Sequence, residues 1–320
     1  MNAAVVHAFH ASPRYTTFKD PAVEAGEVLV KVAAAGLHQI VKSLANGTHY
    51  GSTGELPLVP GVDGVGTLEN GTRVYFGGVR DPFGTFAELA AAPKRMTIPL
   101  PDDLDNVTAA GIANPGMSSW AALKFRARLV AGESVLVLGA TGVAGKLSVQ
   151  VAKRMGARRV VAAGRNPKAL EQLKTLGADA IISLEQAKDS LIAAYRQEMN
   201  ENGVDVVLDY LWGEPAEIML GAMAQKGLKH SAPRIRFVQI GGSAGPTISL
   251  PAATLRSSGL ELIGSGFGSV ALDEILQSVG EFFVEAAKTP FVFDVKAVPL
   301  RDVEMLWNSS EKGVRLVFQP

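Results

Sequence analysis

The sequence predicts an α/β protein in which a doubly wound parallel sheet follows a β-rich N-terminal segment. Three observations support this prediction. Strand and helix patterns alternate from residue 134 to residue 240, which is typical of a parallel sheet. A glycine-rich turn joins the first strand of this series to its helix. Before about residue 100, short strand patterns are instead separated by Gly and Pro.

The N-terminal segment is predicted to contain several short strands. The run E-V-L-V-K-V-A-A-A over 27–35 partly alternates between apolar and polar residues, as a half-buried strand does. Further short strands are predicted between turn residues, over 71–76, 84–90 and 96–100. The pattern then becomes helical over 107–112 and 119–125, where two helices are predicted.

The central segment is predicted to alternate between buried strands and helices. The strands are rich in Val, Ile and Leu on both faces, as strands of a covered parallel sheet are. The predicted strands are 134–138, 159–163, 180–182, 204–208 and 235–240, and the predicted helices are 143–155, 167–176, 186–199 and 215–225. A last strand over 261–264 and an amphipathic helix over 272–287 precede a return to strands and turns over 291–318.

The glycine-rich turn predicts a site for the pyrophosphate of a dinucleotide. The run S-V-L-V-L-G-A-T-G-V-A-G over 134–145 has the spacing A-x-G-x-x-G, with Ala140 in place of the usual first glycine. Gly142 would let the backbone approach the phosphates, and Gly145 would let the helix pack close to the strand. The N–H groups at a helix start attract anions. The predicted cofactor contacts are Ala140, Thr141, Gly142, Val143, Ala144 and Gly145.

Two other interpretations of this turn stay open at the level of sequence. A phosphate-binding P-loop would need G-x-x-x-x-G-K-[ST], and Gly145-Lys146 fits that motif. However, Ala140 replaces its first glycine, and Leu147 replaces the hydroxyl that binds the metal. The same residues are also compatible with a tight strand-to-helix turn that binds nothing.

The end of the second central strand predicts NADP(H) rather than NAD(H). An NAD site carries Asp or Glu about 20 residues after the glycines, where it binds the ribose 2′-hydroxyl. The corresponding run G-R-N-P-K contains no acid, and its cations suit a 2′-phosphate. The predicted contacts are Gly164, Arg165, Asn166 and Lys168, and a solvated loop with two surface cations is the alternative. Gly241 and Gly242, which follow another buried strand, are predicted to contact the cofactor too.

The composition restricts the classes of partner and compartment. Lys and Arg together number 31, as do Asp and Glu, so no net charge favours nucleic acid or an acidic membrane. The chain has no cysteine, which excludes disulfides, thiolate zinc sites and a cysteine nucleophile. No stretch reaches about 18 uncharged apolar residues, and the first residues lack the pattern of a signal peptide. We therefore expect a cytoplasmic protein that acts on a small molecule.

Several short motifs, in their order and spacing, make the chain resemble a family. The chain resembles the medium-chain dehydrogenase/reductase superfamily, in its zinc-free quinone oxidoreductase and enoyl reductase branch. This resemblance implies a GroES-like β domain split around a Rossmann domain, with boundaries at 1–116, 117–266 and 267–320. The motifs are V-L-V-K-V-A-A-A-G (28–36), P-L-V-P-G-V-D-G-V-G (57–66), P-G-M-S-S-W-A-A-L (115–123), the glycine turn, L-G-A-D (176–179), G-V-D-V-V-L-D (203–209) and F-V-Q-I-G-G (237–242).

The same resemblance implies that the chain binds no metal. Zinc-dependent relatives carry Cys at the position of His38 and His-Glu at the positions of Val62 and Asp63. A tetrahedral catalytic zinc needs three protein ligands, and Val62 is not a ligand. The five histidines of the chain also lack a metal-ligand spacing.

The resemblance further implies two candidate catalytic residues, Tyr50 and His38. Enoyl reductases of the branch carry a Tyr near the position of Tyr50 that is proposed to donate a proton, although His49 resembles an insertion that shifts the register by one. His38 stands where relatives carry an Asn that contacts the cofactor, and it would bind the ribose or act as an acid. The alternatives are that Tyr50 only lines the cleft and that His38 is structural. Val41 replaces a polar residue that is common in the branch.

The sequence therefore predicts an NADPH-dependent oxidoreductase that transfers hydride to a small quinone or α,β-unsaturated carbonyl without zinc. A zinc-free carbonyl or alcohol dehydrogenase, and an NADPH-binding redox sensor with little turnover, are the alternatives. An apolar edge strand needs a covering element or a partner. In the family, two such edges pair across a twofold axis, so a homodimer through the strand at 261–267 is expected.

Overall fold

The computed structural model describes residues 1–224, 232–309 and 313–320, which form two compact units. The first unit comprises Met1–Asn114, Val279–Pro290 and Asp294–Pro320, and the second comprises Pro115–Ser278 and Phe291–Phe293. Residues 267–278 thus belong to the second unit, whereas the sequence prediction assigns them to the C-terminal segment. The domain boundaries at 116 and 266 stay a prediction.

The described residues form a series of strands and helices in the order that the α/β prediction requires. The strands are β1 (Asn2–Val5), β2 (Arg14–Thr17), β3 (Glu27–Gly36), β4 (Asp63–Leu68), β5 (Arg73–Gly77), β6 (Leu89–Pro93), β7 (Thr97–Pro99), β8 (Ser134–Leu138), β9 (Arg159–Gly164), β10 (Ala180–Ser183), β11 (Val206–Asp209), β12 (Arg234–Gln239), β13 (Gly259–Gly264), β14 (Asp294–Pro299) and β15 (Val314–Gln319). The helices are α1 (Gln39–Ala45), α2 (Asn106–Ala121), α3 (Val143–Arg154), α4 (Pro167–Thr175), α5 (Lys188–Glu201), α6 (Gly213–Met223), α7 (Ala252–Ser257), α8 (Leu272–Lys288) and α9 (Val303–Leu306).

The first unit is built on a seven-stranded, largely antiparallel sheet. Its strands follow the order β14-β15-β3-β4-β5-β7, and β6 pairs with β3. The pair β14 and β15 is parallel, and β1 and β2 form a separate antiparallel ribbon. Aromatic side chains fill one core of this unit: the Phe86 ring lies 5.3 Å from Phe318 and 6.2 Å from Trp307 between ring centroids. All three are nearly inaccessible to solvent.

Strand β4 was missed at the level of sequence because its glycines resemble turn signals. The structure gives these glycines a packing role instead. A Cβ on Gly66 would lie 2.4 Å from the carbonyl oxygen of Lys31, and one on Gly64 would lie 3.1 Å from that of Ala34. Neighbouring strand β3 passes too close for a side chain at Gly66 and leaves little room for one at Gly64.

The two helices predicted over 107–112 and 119–125 are one continuous helix, so that prediction is wrong. Helix α2 runs through Pro115 and continues as a π-helical segment over Ala122–Ala127. The residues that precede the proline, such as Ala109 and Ile112, are almost fully buried. Tertiary packing therefore outweighs the backbone hydrogen bond that a proline inside a helix removes.

The second unit confirms the predicted doubly wound parallel sheet. Six parallel strands follow the order β10-β9-β8-β11-β12-β13, and strand order reverses between β8 and β11. The side chains of β8 are completely buried, which explains its unbroken apolar sequence. Strand β13 lies at one edge. The predicted helix over 215–225 corresponds to α6, and its last residue lies outside the described residues.

None of the helices in the described part of the chain combines the length and the apolar character that a bilayer crossing requires.

A close approach of backbone segments joins α3 to β8. A Cβ on Gly145 would lie 2.3 Å from the carbonyl oxygen of Gly139 and 2.6 Å from the Cα of Ala140. Such distances are far below contact, and both obstacles are backbone atoms that do not rotate away. At Gly142 the nearest atom to an added Cβ is the Gly139 oxygen at 3.6 Å, an ordinary contact distance.

The buried carboxylate of Asp209 ends β11. It accepts hydrogen bonds from the N–H groups of Leu211 at 2.8 Å and Trp212 at 3.1 Å. Trp212 has a φ of 56°, a conformation that bulky residues rarely adopt, so these bonds hold a strained turn. Burial raises the Asp209 pKa to about 6, although the two N–H groups act in the opposite direction.

We predict that Gly145→Ala destabilises the fold far more than Gly142→Ala. The first change forces α3 away from β8 and is expected to cost about 1–3 kcal/mol of the free energy of unfolding. The second places a methyl group at an uncrowded helix N-cap and is expected to cost less than about 1 kcal/mol. Urea unfolding of both variants measures the difference. Equal destabilisation by the two changes would contradict the close approach of α3.

We predict that Asp209→Asn changes how stability depends on pH. Because the folded-state pKa of about 6 exceeds the unfolded value of 3.8, the folded protein binds the proton more tightly, and stability falls as pH rises between about 4 and 6. The two-unit difference corresponds to roughly 3 kcal/mol. As pH rises from about 4 to about 6, the free energy of unfolding of the variant, measured with urea, should therefore increase by about that amount relative to that of the wild type. Asp189→Asn, which removes an exposed acid on α5, should show no such trend.

Candidate functional site

The glycine turn after β8 is a compact left-handed turn that delivers the chain to α3. Gly139 has a φ of 86°, and its N–H and that of Ala140 both donate to the carbonyl oxygen of Ala163 on β9, each at 2.9 Å. The glycine that makes the tight turn is therefore Gly139, one residue before the position that the motif assigns to Ala140. The N–H of Ala140 is already engaged by β9, so it is not directed at a ligand.

The start of α3 has the features of an anion site. Gly142 caps the helix with an extended backbone and is exposed. The N–H groups of Val143, Ala144 and Gly145 occupy the first turn, where no intrahelical acceptor exists. The helix dipole adds a positive potential at the same place. This turn lies at the carboxyl edge of the parallel sheet, beside the point where strand order reverses and where such sheets bind ligands.

The end of β9 brings two cations close to the glycine turn. A Cβ on Gly164 would lie 2.5 Å from the side chain of Thr141, so the two segments touch only because residue 164 is glycine. Arg165 and Lys168 follow and are both exposed. Asn166 caps α4: its Oδ1 accepts from the N–H of Ala169 at 3.1 Å. The Asn166 side chain therefore has a structural role whatever it contributes to a cofactor.

The predicted contacts Gly241 and Gly242 lie in a loop that is bonded to the turn after β11. The N–H of Gly241 donates to the carbonyl oxygen of Asp209 at 3.1 Å, and the N–H of Ala244 donates to that of Leu211 at 2.8 Å. A Cβ on Gly241 would lie 2.9 Å from the carbonyl oxygen of Tyr210. Close packing of the two loops thus requires glycine at position 241, while Gly242 is exposed.

Sequence analysis did not predict a group of hydroxyl side chains around Tyr210, which follows β11. The Tyr210 hydroxyl lies 2.6 Å from the Ser148 hydroxyl. Burial raises the pKa of Tyr210, and hydrogen bonds with Ser148, Ser118 and Ser119 act in the opposite direction. Ser118 and Ser119 lie on α2, Ser148 on α3 and Tyr210 after β11. No local pattern indicates this meeting, because the three segments are far apart in sequence.

The first unit brings His38 into a buried polar cluster, which we define as His38, Asp63, Tyr75 and Arg315. His38 Nε2 lies 3.3 Å from Asp63 Oδ1, and the Tyr75 hydroxyl donates to Asp63 Oδ2 at 3.0 Å. His38, Asp63 and Tyr75 are each at least nine-tenths buried. Arg315 donates to the carbonyl oxygen of Leu37 at 2.5 Å. Sequence analysis singled out His38 but not Tyr75 or Arg315.

Burial governs the protonation of this cluster. Burial lowers the pKa of His38, and the nearby guanidinium of Arg315 lowers it further, whereas Asp63 acts in the opposite direction. Burial also lowers the pKa of Arg315 to about 10, and it raises that of Tyr75 well above its usual value. Near neutral pH, His38 is therefore uncharged between a carboxylate and a guanidinium.

Tyr50, the other predicted catalytic residue, occupies a different environment. Its side chain is 77% exposed, and its ring lies 4.1 Å from that of His49 between centroids. The Nδ1 of His49 accepts a hydrogen bond from the N–H of Gly51 at 3.1 Å, which fixes this loop locally. Val41, where relatives carry a polar residue, is buried in the apolar core of the first unit. The catalytic roles of Tyr50 and His38 stay predictions.

The residues present do not fit a catalytic zinc ion. His38 and Asp63 face each other, but the third position is Val62, which packs against the apolar core. Within the described residues, no group of three or more His, Asp or Glu side chains is arranged to hold a metal ion. The guanidinium of Arg315 interacts electrostatically with Asp63: burial lowers the Arg315 pKa, and the Asp63 carboxylate acts in the opposite direction.

Two family models match the chain and together cover both halves of its fold. The alcohol dehydrogenase GroES-like domain matches residues 24–102, and the zinc-binding dehydrogenase model matches residues 144–285. The second model begins at the start of α3, just after the glycine turn.

Individual relatives support the same assignment. The probable NADPH-dependent quinone reductase of Emericella nidulans is 26% identical over the full length of both chains. The quinone oxidoreductase of Rattus norvegicus is 32% identical over 202 residues, which are 60% of this chain and 59% of that protein. The quinone oxidoreductase of Thermus thermophilus, solved also as a complex with NADPH, superposes over both full chains with a TM-score of 0.79 and 27% identity. The chain therefore belongs to the medium-chain dehydrogenase/reductase superfamily, in the branch of the quinone oxidoreductases.

Proposed function

We propose that this protein is an NADPH-dependent oxidoreductase that reduces a small quinone or α,β-unsaturated carbonyl without zinc. The observation that carries the proposal is the pair of exposed cations Arg165 and Lys168 at the end of β9, beside a glycine turn that opens onto a helix N-terminus. The relatives named for NADPH and quinones support the same choice. The absence of an acid from the G-R-N-P-K run removes the usual preference for a free 2′-hydroxyl.

In this proposal, different residues of the chain bind different parts of the cofactor. The N–H groups of Val143, Ala144 and Gly145 bind the pyrophosphate, and Arg165 with Lys168 binds the 2′-phosphate. When bound, the cofactor supplies a hydride from its nicotinamide ring. The protein contributes positioning and hydrogen bonds at the oxygen where negative charge develops. Tyr50 is the proposed donor at that oxygen, and the exposure of its side chain leaves it accessible to a ligand.

We propose a cytoplasmic location, with which the absence of cysteine, and therefore of disulfides, is consistent.

The proposed activity predicts that oxidation of NADPH by quinones and enones survives removal of metal ions. The expected result is turnover with at least one member of a panel of quinones, enones, aldehydes and ketones, unchanged after exhaustive chelation. Turnover restricted to saturated aldehydes or ketones would instead identify a carbonyl dehydrogenase, and NADPH binding without any turnover would identify a sensor. An equivalent of zinc that activity requires would contradict the proposal.

The cofactor assignment predicts that Arg165→Ala weakens binding of NADPH but not of NADH. Loss of one charge-assisted contact is expected to cost roughly 1.5–3 kcal/mol, or about one to two decades in the dissociation constant. Lys168→Ala should show the same selectivity, and Arg95→Ala, an exposed arginine of the first unit, is the matched control. Titration of both reduced cofactors by fluorescence measures the effect. Tighter binding of NADH by the wild type would rule out the assignment.

We further propose that the enzyme is a homodimer whose subunits pair through β13. This strand is the edge of the parallel sheet in the second unit. Leu262 on β13 is 40% exposed, and Phe267 just beyond it is 46% exposed. An apolar edge of this kind invites strand pairing unless another element covers it. Pairing of two such edges across a twofold axis would produce one continuous sheet.

The pairing model predicts that Leu262→Pro weakens the dimer. The N–H of Ser265 donates to Gln239 on β12, so alternate residues point their N–H groups to β12 and Leu262 points its own to the free edge. Proline there removes an outward donor and spares the ladder to β12. Sedimentation at micromolar concentration should show a shift towards monomer, while Lys188→Ala on exposed α5 should not shift it. A wild-type monomer at that concentration would refute the model.

A further inference from the structure

The end of β10 places an acidic residue beside the cations at the end of β9. Strands β9 and β10 are parallel neighbours, and Ser183, the last residue of β10, is paired with Gly164. One further bond extends this pairing: the N–H of Leu184 donates to the carbonyl oxygen of Gly164 at 2.8 Å. Arg165 follows Gly164, and Glu185 follows Leu184. The two chain segments therefore leave the sheet side by side, with Arg165 and Glu185 next to the last bond that joins them.

The turn that carries Glu185 is held in place by its own contacts. The N–H of Glu185 donates to the Ser183 hydroxyl at 3.2 Å, and Gln186 Nε2 donates to the Ser183 carbonyl oxygen at 2.8 Å. Leu184 packs against the apolar core of the second unit. These contacts fix the backbone of the turn at the carboxyl edge of the sheet, where the side chain of Glu185 is exposed.

In the part of the chain that the structure describes, three charged groups at this edge form neither ion pairs nor side-chain hydrogen bonds. They are the guanidinium of Arg165, the ammonium of Lys168 and the carboxylate of Glu185. By contrast, Glu171 and Lys174 on α4 form an ion pair at 2.8 Å. Neighbouring strands lie about 4.8 Å apart, a separation that long side chains such as Arg and Glu span. A phosphate bound by the two cations therefore lies within the electrostatic range of the Glu185 carboxylate.

An anion at this position interacts with charges of both signs. Arg165 and Lys168, together with the positive end of the α4 dipole, attract a phosphate. The carboxylate of Glu185 repels it, so the three groups together attract a phosphate less than the two cations alone would. An uncharged ribose hydroxyl is hardly affected by the same repulsion. An acid near this position is also the feature that normally favours a ribose 2′-hydroxyl.

We propose that Glu185 is a specificity-determining residue that opposes the 2′-phosphate of NADPH and thereby narrows the difference in affinity between NADPH and NADH. The acid that the run G-R-N-P-K lacks is supplied from the neighbouring strand, where it limits the preference that Arg165 and Lys168 create. The identity of the ligand in this inference rests on the proposed function. The inference goes beyond that function because it assigns selectivity to a second segment of the chain.

The test compares Glu185→Gln and Glu185→Lys with the wild type in fluorescence titrations of NADPH and NADH. Glu185→Gln should bind NADPH about three- to tenfold more tightly, because one repulsive charge near the phosphate is removed. Glu185→Lys should bind NADPH more tightly still. The affinity for NADH should stay within about twofold of the wild-type value in both variants, because NADH has no 2′-phosphate. The matched control is Glu201→Gln, which removes an exposed acid at the far end of α5 and should change neither affinity.

Dependence on salt separates electrostatic repulsion from a change in local structure. Adenosine 2′,5′-bisphosphate and adenosine 5′-monophosphate differ only in the 2′-phosphate, and calorimetry measures their affinities. Glu185→Gln should bind the bisphosphate more tightly than the wild type does and should bind the monophosphate equally well. This gain should shrink between about 0.1 M and 1 M salt, because the screening length falls from about 10 Å to about 3 Å. A gain that is independent of salt, or equal for the two nucleotides, would overturn the repulsive role.

The outcomes distinguish this inference from the proposed function. If the wild type binds NADPH and Glu185→Gln binds it no more tightly, Glu185 does not determine specificity, and the proposed function stands. Weaker binding of NADH by Glu185→Gln, with unchanged binding of NADPH, would identify Glu185 as a ligand of the ribose hydroxyls and would also refute the repulsive role. If the wild type binds neither cofactor, the proposed function fails, and the role of Glu185 fails with it.

Discussion

The approach of α3 to the end of β8 is the constraint on which the candidate cofactor site depends. Gly145 faces the backbone of Gly139 and Ala140 at distances that exclude any side chain. The same contact sets the direction of α3 and therefore where its first N–H groups point. The side chain of Thr141, a residue of the glycine turn, lies so close to β9 that position 164 must be glycine. Geometry at one crowded point thus fixes the glycine turn, the start of the helix and the neighbouring strand end together.

The first unit contains a buried carboxylate, that of Asp63. Asp63 is 5% exposed, and a buried charge is costly unless it is paired and hydrogen-bonded. The Tyr75 hydroxyl supplies one hydrogen bond, and the guanidinium of Arg315 supplies the opposite charge. His38 does not need to be charged under these conditions.

The sequence predicted those parts of the molecule whose signals are local. The central strands are buried on both faces, so their sequences are nearly unbroken apolar runs. These runs were enough to predict the order of strands and helices. Strand β4 was not predicted, because its glycines permit close contact with β3. Helix α2 was predicted as two helices, because the packing that keeps it continuous through Pro115 has no local signal. In the candidate site, the spacing of the sequence indicated Gly142, Gly145, Arg165 and Lys168, whose contacts with a cofactor stay predictions. It did not indicate Tyr75 and Arg315, because strands distant in sequence bring them near Asp63 and His38 only once the sheet of the first unit has formed.

The end of β9 shows how local structure and electrostatics act together in the choice of cofactor. Asn166 caps α4, and Pro167 occupies its first turn, so this helix begins immediately after Arg165. The positive end of the α4 dipole therefore adds to the charges of Arg165 and Lys168 at one exposed position. An acid at position 165 would favour a ribose hydroxyl and oppose a phosphate, whereas Arg165 reverses both preferences. Because the cap fixes the backbone here independently of any ligand, the proposed selectivity for the phosphate would depend on side-chain charge rather than on a rearrangement of the chain.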